Sequence, residues 1–406
     1  MPTSTIISDN GVVSGTTGLK TSGGDDGTLI LQTTTAGGTA TTAMTINTSQ
    51  AVTFAQTANL PNTFGFKNRI INGDMSIDQR NAGASVTPTS NTYTIDRWFA
   101  GLSQSSKFSV QRSTTAPTGF VNSALITSTS AYSITSTDRF AFSQFIEGLN
   151  CTDLGWGTAS AKTMTLSFQV RSSLTGTFGG AFQNNASDRS YPFTYTISAA
   201  NTWETKTVTV AGDTTGTWLT NNEIGIQVRF SLGTGSTYSN TAGAWVAGDY
   251  RSATGATSLV GTNGATLNIT GVQFEVGSTA TSFDQLPYGT ELMLCQRYYF
   301  KMQGVSTDGF FGTGFCDTTT AALCVTQFTV PMRAAPTALE QSGTAGDYLV
   351  NRAGANTTCS AVPAFSAATS FSARTNLTVA SGLTAGQCVF ARSNNSTAYL
   401  AWSAEL

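Results

Sequence analysis

KTMTLSFQVRS, residues 162–172, alternates apolar and polar side chains without a break. Met164, Leu166, Phe168 and Val170 fall on one side of an extended chain and Thr163, Thr165, Ser167 and Gln169 on the other, because successive side chains of a strand point to opposite faces. The same period of two runs through YTIDRWFAG (93–101), KFSVQRS (107–113), FAFSQFIEG (140–148), YPFTYTIS (191–198), TWETKTVTV (202–210), IGIQVRFSL (224–232) and TLNITGVQFEVG (266–277). Eight such strands, separated by Gly and Asn turns, predict two stacked sheets, a sandwich that ends near Tyr288.

Composition agrees with the all-β reading. Of 406 residues only 10% are charged, 39% are hydrophobic and 41 are glycine. Thr and Ser favour strands and turns, while the helix formers Glu, Lys and Arg are scarce. The formal net charge of −2 and the lack of any Lys/Arg cluster argue against a nucleic-acid partner. No run approaches 18 apolar residues, and MPTSTIISDN lacks a signal-peptide pattern, so neither membrane insertion nor Sec export is expected. Histidine is absent, which excludes Ser-His-Asp and Cys-His mechanisms. The six cysteines, at 151, 295, 316, 324, 359 and 388, show no metal or redox spacing and read as reduced thiols. The alternative pairs Cys316 with Cys324 and Cys359 with Cys388.

Outside the sandwich the texture changes twice. Residues 1–66 carry short alternating runs (Leu29, Leu31; Met44, Ile46; Val52, Phe54), each too small to bury a face alone, and read as a β-stalk completed by neighbouring chains. ELMLCQRYYFK (291–301) instead spaces its apolar residues like a short helix, expected from Glu291 to Tyr299. Beyond it, FFGTGFCD, ALCVTQFTVPM, YLVNRAG, TNLTVASG, CVFARSN and AYLAWSAEL predict a smaller C-terminal β-domain. The expected organisation is a stalk (1–66), a sandwich (67–290), a helical joint (291–301) and a β-rich tip (302–406).

NRIINGDMSIDQRNAG (68–83), YTIDRWFA, FSQFIEG, ITGVQFEVGSTATSFDQLPYGTELMLCQRYY (269–299) and the terminal TAYLAWSAEL together resemble bacteriophage and prophage tail fibre proteins that carry a carbohydrate-binding-module-like jelly roll. The resemblance covers residues 66–300 most fully. It implies a homotrimeric fibre on the virion, assembled in the bacterial cytoplasm, attached to other tail or virion proteins through the N-terminal segment, and touching host-surface glycans.

Several site expectations follow. In NRIINGDMSIDQR, a Gly73-Asp74 turn joins an entering and a returning strand, with Asp74, Asp78 and Arg80 disposed for an ion pair; with Arg97 and Trp98 these read as structural. Trimer contact is expected at Leu292, Leu294, Cys295, Tyr298 and Tyr299, with Arg297 reaching Glu291 of a neighbour. Glycan candidates are the turn aromatics Trp218, Tyr238, Trp245 and Tyr250, with Tyr348 and Arg352 in the C-terminal region. Asp74, Glu147 and Glu275 have the oxygen chemistry of calcium ligands, although calcium wants six or more oxygens; no metal or other cofactor is otherwise called for. A glycan-binding fibre without catalysis is the main functional expectation. A polysaccharide-degrading tailspike would need a carboxylate pair across a cleft, and a capsid or collar decoration fibre or tail adaptor would differ in where residues 1–66 dock.

Overall fold

A computed structural model describes residues 20–23, 28–34, 40–49, 52–54, 67–306 and 309–406. The chain divides into two compact units, Met1–Gly65 and Phe66–Leu406. In the first, strands Lys20–Gly23, Leu29–Thr34, Ala40–Ile46 and Val52–Phe54 form an antiparallel meander in chain order. Its register sets Leu29 opposite Ile46 and Ile46 opposite Val52. Leu29 and Val52 remain exposed, as the shortness of these strands leads one to expect.

In the second unit, a five-stranded sheet in the order 204–210, 164–172, 266–276, 123–128, 108–113 faces a seven-stranded sheet in the order 246–247, 189–197, 176–183, 224–234, 139–147, 98–102, 92–95. This is the jelly-roll-like sandwich. The inward residues of both sheets meet ring to ring: Phe168 lies 5.0 Å from Phe230, and Phe182 lies 5.1 Å from Phe274. Trp98 stacks on Phe142 with centroids 4.8 Å apart. Strand Gly176–Gln183, GTFGGAFQ, is not among the eight expected strands. Its glycines serve the packing: a Cβ on Gly180 would come within 2.4 Å of the Phe193 ring. Gly271 adopts φ +59° at the bulge where Thr266–Val276 shifts register against Met164–Ser172.

YTIDRWFAG is a hairpin rather than one strand: Thr92–Ile95 turns through Asp96 and Arg97 into Trp98–Leu102. Residues 68–83 form no strand pair around Gly73-Asp74 either. Asn72 and Met75 take left-handed backbone, at φ 58° and 59°, which breaks a ladder. Side chains replace the missing ladder bonds. Buried Asn72 donates to the carbonyls of Ile77 and Asp96 and accepts from Ile77 N, while Gln144 bonds both backbone groups of Ile71. Asp78 accepts from Asn81 N and Gly83 N.

The α-helix runs from Tyr288 to Gln296, and Tyr299 already begins strand Tyr299–Gln303. Pro287 starts the helix at its fixed φ, so Tyr288 rather than Glu291 opens it. Cys295 and Tyr298 are fully buried within the single chain, against Ile71 and Ile77, with Leu292, Leu294 and Leu406 partly buried at the margin. Tyr299 is buried as well. Three copies are therefore not needed to cover these residues. Arg297, expected to pair with Glu291 of a neighbour, grips Glu147 of its own chain through two hydrogen bonds, 2.9 and 2.6 Å. Glu291 accepts from the backbone of Asn72.

Past the helix, Tyr299–Gln303 pairs with Tyr399–Ser403, which also pairs with Glu340–Gln341. A seven-stranded antiparallel sheet, in the order 355–358, 348–352, 388–393, 310–316, 321–327, 372–378, 364–368, completes the C-terminal region. Its own core gathers Phe300, Phe311, Tyr348, Leu377, Leu400 and Trp402. All six cysteines are free thiols. Cys316 sits opposite Ala322 rather than Cys324, and Cys359 is buried whereas Cys388 is exposed, so neither of the alternative pairings forms.

Buried charges knit the two cores. Arg97, 1% exposed, pairs with Glu405 and stacks on the Tyr298 ring at 3.5 Å. Arg80 bonds the same carboxylate at 3.1 Å and lies 3.7 Å from the centroid of Tyr299. The Tyr298 hydroxyl donates to Glu147 at 2.6 Å. The motif segments that looked structural in sequence thus meet at this one junction.

Candidate functional site

The outer face of the sandwich's seven-stranded sheet holds a cleft of about 210 Å³. Strand alternation decides who lines it. On Trp98–Leu102 the residues Trp98 and Ala100 go inward, which sends Phe99 and Gly101 outward. On Arg139–Glu147, Phe140, Phe142 and Ile146 go inward, so Ala141 and Phe145 face the cleft. On Ile224–Thr234 the outward position is Arg229, between inward Val228 and Phe230. Phe99 and Phe145 lie 5.1 Å apart, and Tyr93 closes edge-on to Phe99 at 5.2 Å. Asn91, Leu102, Arg139, Phe140, Thr234 and Arg251 complete the lining.

The segment 236–253 lies across the other half of the same face, its short strand Ser252–Ala253 packing over the glycines of Gly176–Gln183. It delivers Arg251, whose guanidinium bonds both oxygens of Asp249 at 2.8 Å. Gln183 also donates to Asp249 at 2.8 Å. Tyr238 stands at the rim, 5.0 Å from the Arg139 guanidinium and 5.4 Å from that of Arg251. Arg229 is 6% exposed and is held by the side-chain carbonyls of Gln183, at 2.7 Å, and Gln227. Burial, with Arg251 as a like-charged neighbour, pushes its pKa down to about 9.

Of the expected glycan contacts, only Tyr238 borders this cleft. Trp218 and Trp245 instead form a cluster with Trp156, the three rings edge to face at 4.8 to 5.3 Å. Their indoles donate to Thr215 O and Ala211 O, and both are partly buried against the core. That arrangement spends their faces on each other. Tyr250 packs beside Gly248, and its backbone N–H donates to Ser190. Tyr348 is fully buried, its hydroxyl donating to Tyr399 O, so no ligand can reach it. Arg352 donates to Gly382 O and lines a broader concavity of about 740 Å³ with Phe315, Asn351, Cys388 and Phe390.

The three oxygen candidates for calcium do not converge. Glu147 is taken by Arg297 and Tyr298, and Glu275 accepts from Thr281 N and Thr281 Oγ1. Asp74 accepts from Ser76 N. Among the described residues no group of three or more His, Cys, Asp or Glu is placed to hold a metal ion.

The residues missed by sequence reading are Phe99, Phe145, Arg139, Arg229 and Arg251. A signal existed for two of them. Phe99 and Phe145 occupy the polar register of otherwise regular strands, and an aromatic residue on the solvent side of a sheet has to be covered or used.

No protein-family model and no curated protein matches the chain. Among solved structures it is similar to a putative sugar binding protein from Bacteroides thetaiotaomicron, with 12% identity, a TM-score of 0.31 and coverage of 52% of this chain and 100% of the other. A family 4 carbohydrate-binding module aligns at 19% identity and a TM-score of 0.26, covering 51% of this chain and 98% of that one. The enzymatically active domain of bacteriophage CBA120 tailspike protein 4 aligns at 11% identity and a TM-score of 0.28 over 52% of this chain. The alignment spans about a fifth of that tailspike chain, 21%.

Proposed function

We propose that the protein is a phage tail fibre component whose sandwich binds a host-surface glycan in the cleft on its seven-stranded sheet, without chemistry. The observation that carries this reading is the cleft itself. It is a concave site that presents aromatic rings at its base and hydrogen-bond donors on its walls, the combination that saccharides require. No carboxylate lines it, and hydrolysis of a glycosidic bond would need two. The motif resemblance to tail fibre proteins supports a virion location, with residues 1–66 as the attachment segment.

A fibre works by many weak contacts at once. Several copies on one virion raise residence on the cell by roughly 10² or more over a single site. Assembly as a homotrimer belongs to this reading, but the surface offered for it is not the helix. The solvent face of the C-terminal seven-stranded sheet exposes Phe310, Phe315, Val325 and Phe390, and that apolar face suits contact between copies.

Phe99→Ala tests the glycan site. It removes a ring from the cleft and leaves the inward side of its strand intact. Adsorption to host cells and signal on a glycan array should fall by about tenfold or more, while the variant stays folded at the assay temperature despite losing roughly 1–2 kcal/mol of ring packing on Tyr93 and Phe145. Full adsorption by the variant would refute the cleft as the contact.

A further inference from the structure

We infer that the cleft selects an anionic saccharide, one bearing a carboxylate or phosphate group, and that Arg139 and Arg229 bind that group. The inference rests on the glycan reading above and specifies its substrate class. Three guanidiniums, those of Arg139, Arg229 and Arg251, converge on one cavity of about 210 Å³. A single carboxylate accompanies them. Asp249 is engaged by Arg251 through both oxygens, so one of the three positive charges is matched.

Neither of the other two forms an ion pair among the described residues, and the only carboxylate that Arg229 feels is the same, already engaged Asp249. Arg139 makes no hydrogen bond or ion pair through its guanidinium among the described residues; it lies against the Tyr238 ring. Arg229 donates only to the neutral carbonyls of Gln183 and Gln227 through Nε and Nη2, which leaves Nη1 without a protein acceptor at the cleft. A guanidinium this deeply buried is costly to leave without a counter-charge. A ligand anion supplies it.

The geometry also says what kind of anion fits. A guanidinium presents parallel N–H donors that match the two oxygens of a carboxylate or the oxygens of a phosphate. Beside it, the partly exposed Phe99 ring, backed by the buried Phe145 ring 5.1 Å away, offers an apolar surface to the C–H face of a sugar ring. An anion alone would use only half of this site. Uronic acids, sialic acids and phosphorylated sugars share the needed chemistry, a ring with a pendant anion.

The test uses the full chain on an array printed with neutral, carboxylate-bearing and phosphate-bearing saccharides, beside the variants Arg139→Gln, Arg229→Gln and Phe99→Ala. Acidic saccharides should bind at least about tenfold better than neutral ones of the same backbone, and Arg139→Gln should remove most of that preference. Arg139 is half-buried and makes no hydrogen bond through its guanidinium, so its variant folds even where Arg229→Gln does not. Carboxylate-only or phosphate-only signal identifies the source of the charge. Neutral saccharides bound equally well, with loss in Phe99→Ala, would overturn the charge selection and leave the glycan cleft standing. An acid preference untouched by Arg139→Gln would overturn the assignment to these arginines. If no saccharide binds, both readings fail together.

Discussion

Single side chains decide how firmly this protein is locked. Glu405 answers two arginines at once, so replacing it with Gln leaves Arg80 and Arg97 buried with one acid fewer. A loss of about 3 kcal/mol is expected, readable as a lower urea midpoint with an unchanged slope. Two other buried acids set the pH response. Burial raises the pKa of Asp96 to about 6 and that of Glu291 to about 7. A carboxyl whose folded pKa is raised contributes stability that is complete below its ordinary value and lost as pH rises through the folded one. Asp138 works in the opposite sense: hydrogen bonds from Thr135, Ser103 and Tyr132 outweigh its desolvation and hold it at about 2, so its contribution disappears only in strong acid. The melting temperature should therefore be higher at pH 5 than at pH 8 and decline again below about pH 4. Glu291→Gln keeps an acceptor for Asn72 N and should flatten part of the slope between pH 5 and 8; an unchanged slope would remove Glu291 from the account.

Elements were legible where one physical rule dominated. The alternation in 162–172 and 266–277 was readable because each strand buries one face and the pleat enforces a period of two. Strand 176–183 was not, since its glycines carry no side chain to show a pattern and their reason lies in Phe193 and Ser252, far along the chain. The helix was visible as spacing, but its burial was misjudged. What covers Cys295 and Tyr298 is the loop 70–77, whose packing has no periodicity to read. The cleft was hardest, because its arginines come from two strands and a crossing segment. Tryptophans 218 and 245 attracted attention by type and turned out to pack with Trp156. Trp218→Ala should accordingly cost about 2 kcal/mol of stability and leave glycan binding as it was, since a half-buried ring loses part of the burial that a core ring would. A calorimetric scan beside the array measurement separates the two effects.

At the scale of the whole molecule, two hydrophobic cores share one electrostatic joint. Residues 67–406 should melt in a single calorimetric transition, because Arg97, Arg80 and Tyr298 are satisfied only when both cores are in place. Two separated transitions would mean that the joint couples little. Self-association is a question for the opposite end of this unit: Phe315→Ser with Phe390→Ser should lower the mass seen by light scattering if that apolar sheet face joins copies, and an unchanged mass would clear it of the role. The Arg97–Glu405 pair spans 308 residues, which has a consequence in time. A ribosome adding about 5–20 residues per second emits Arg97 some 15 to 60 s before its acid. During that interval the half-made sandwich holds a cation it can neither solvate nor neutralise once closed. Closing of the sandwich around Arg97 is therefore expected to lag synthesis of its strands, a delay that pulsed proteolysis of stalled nascent chains would register.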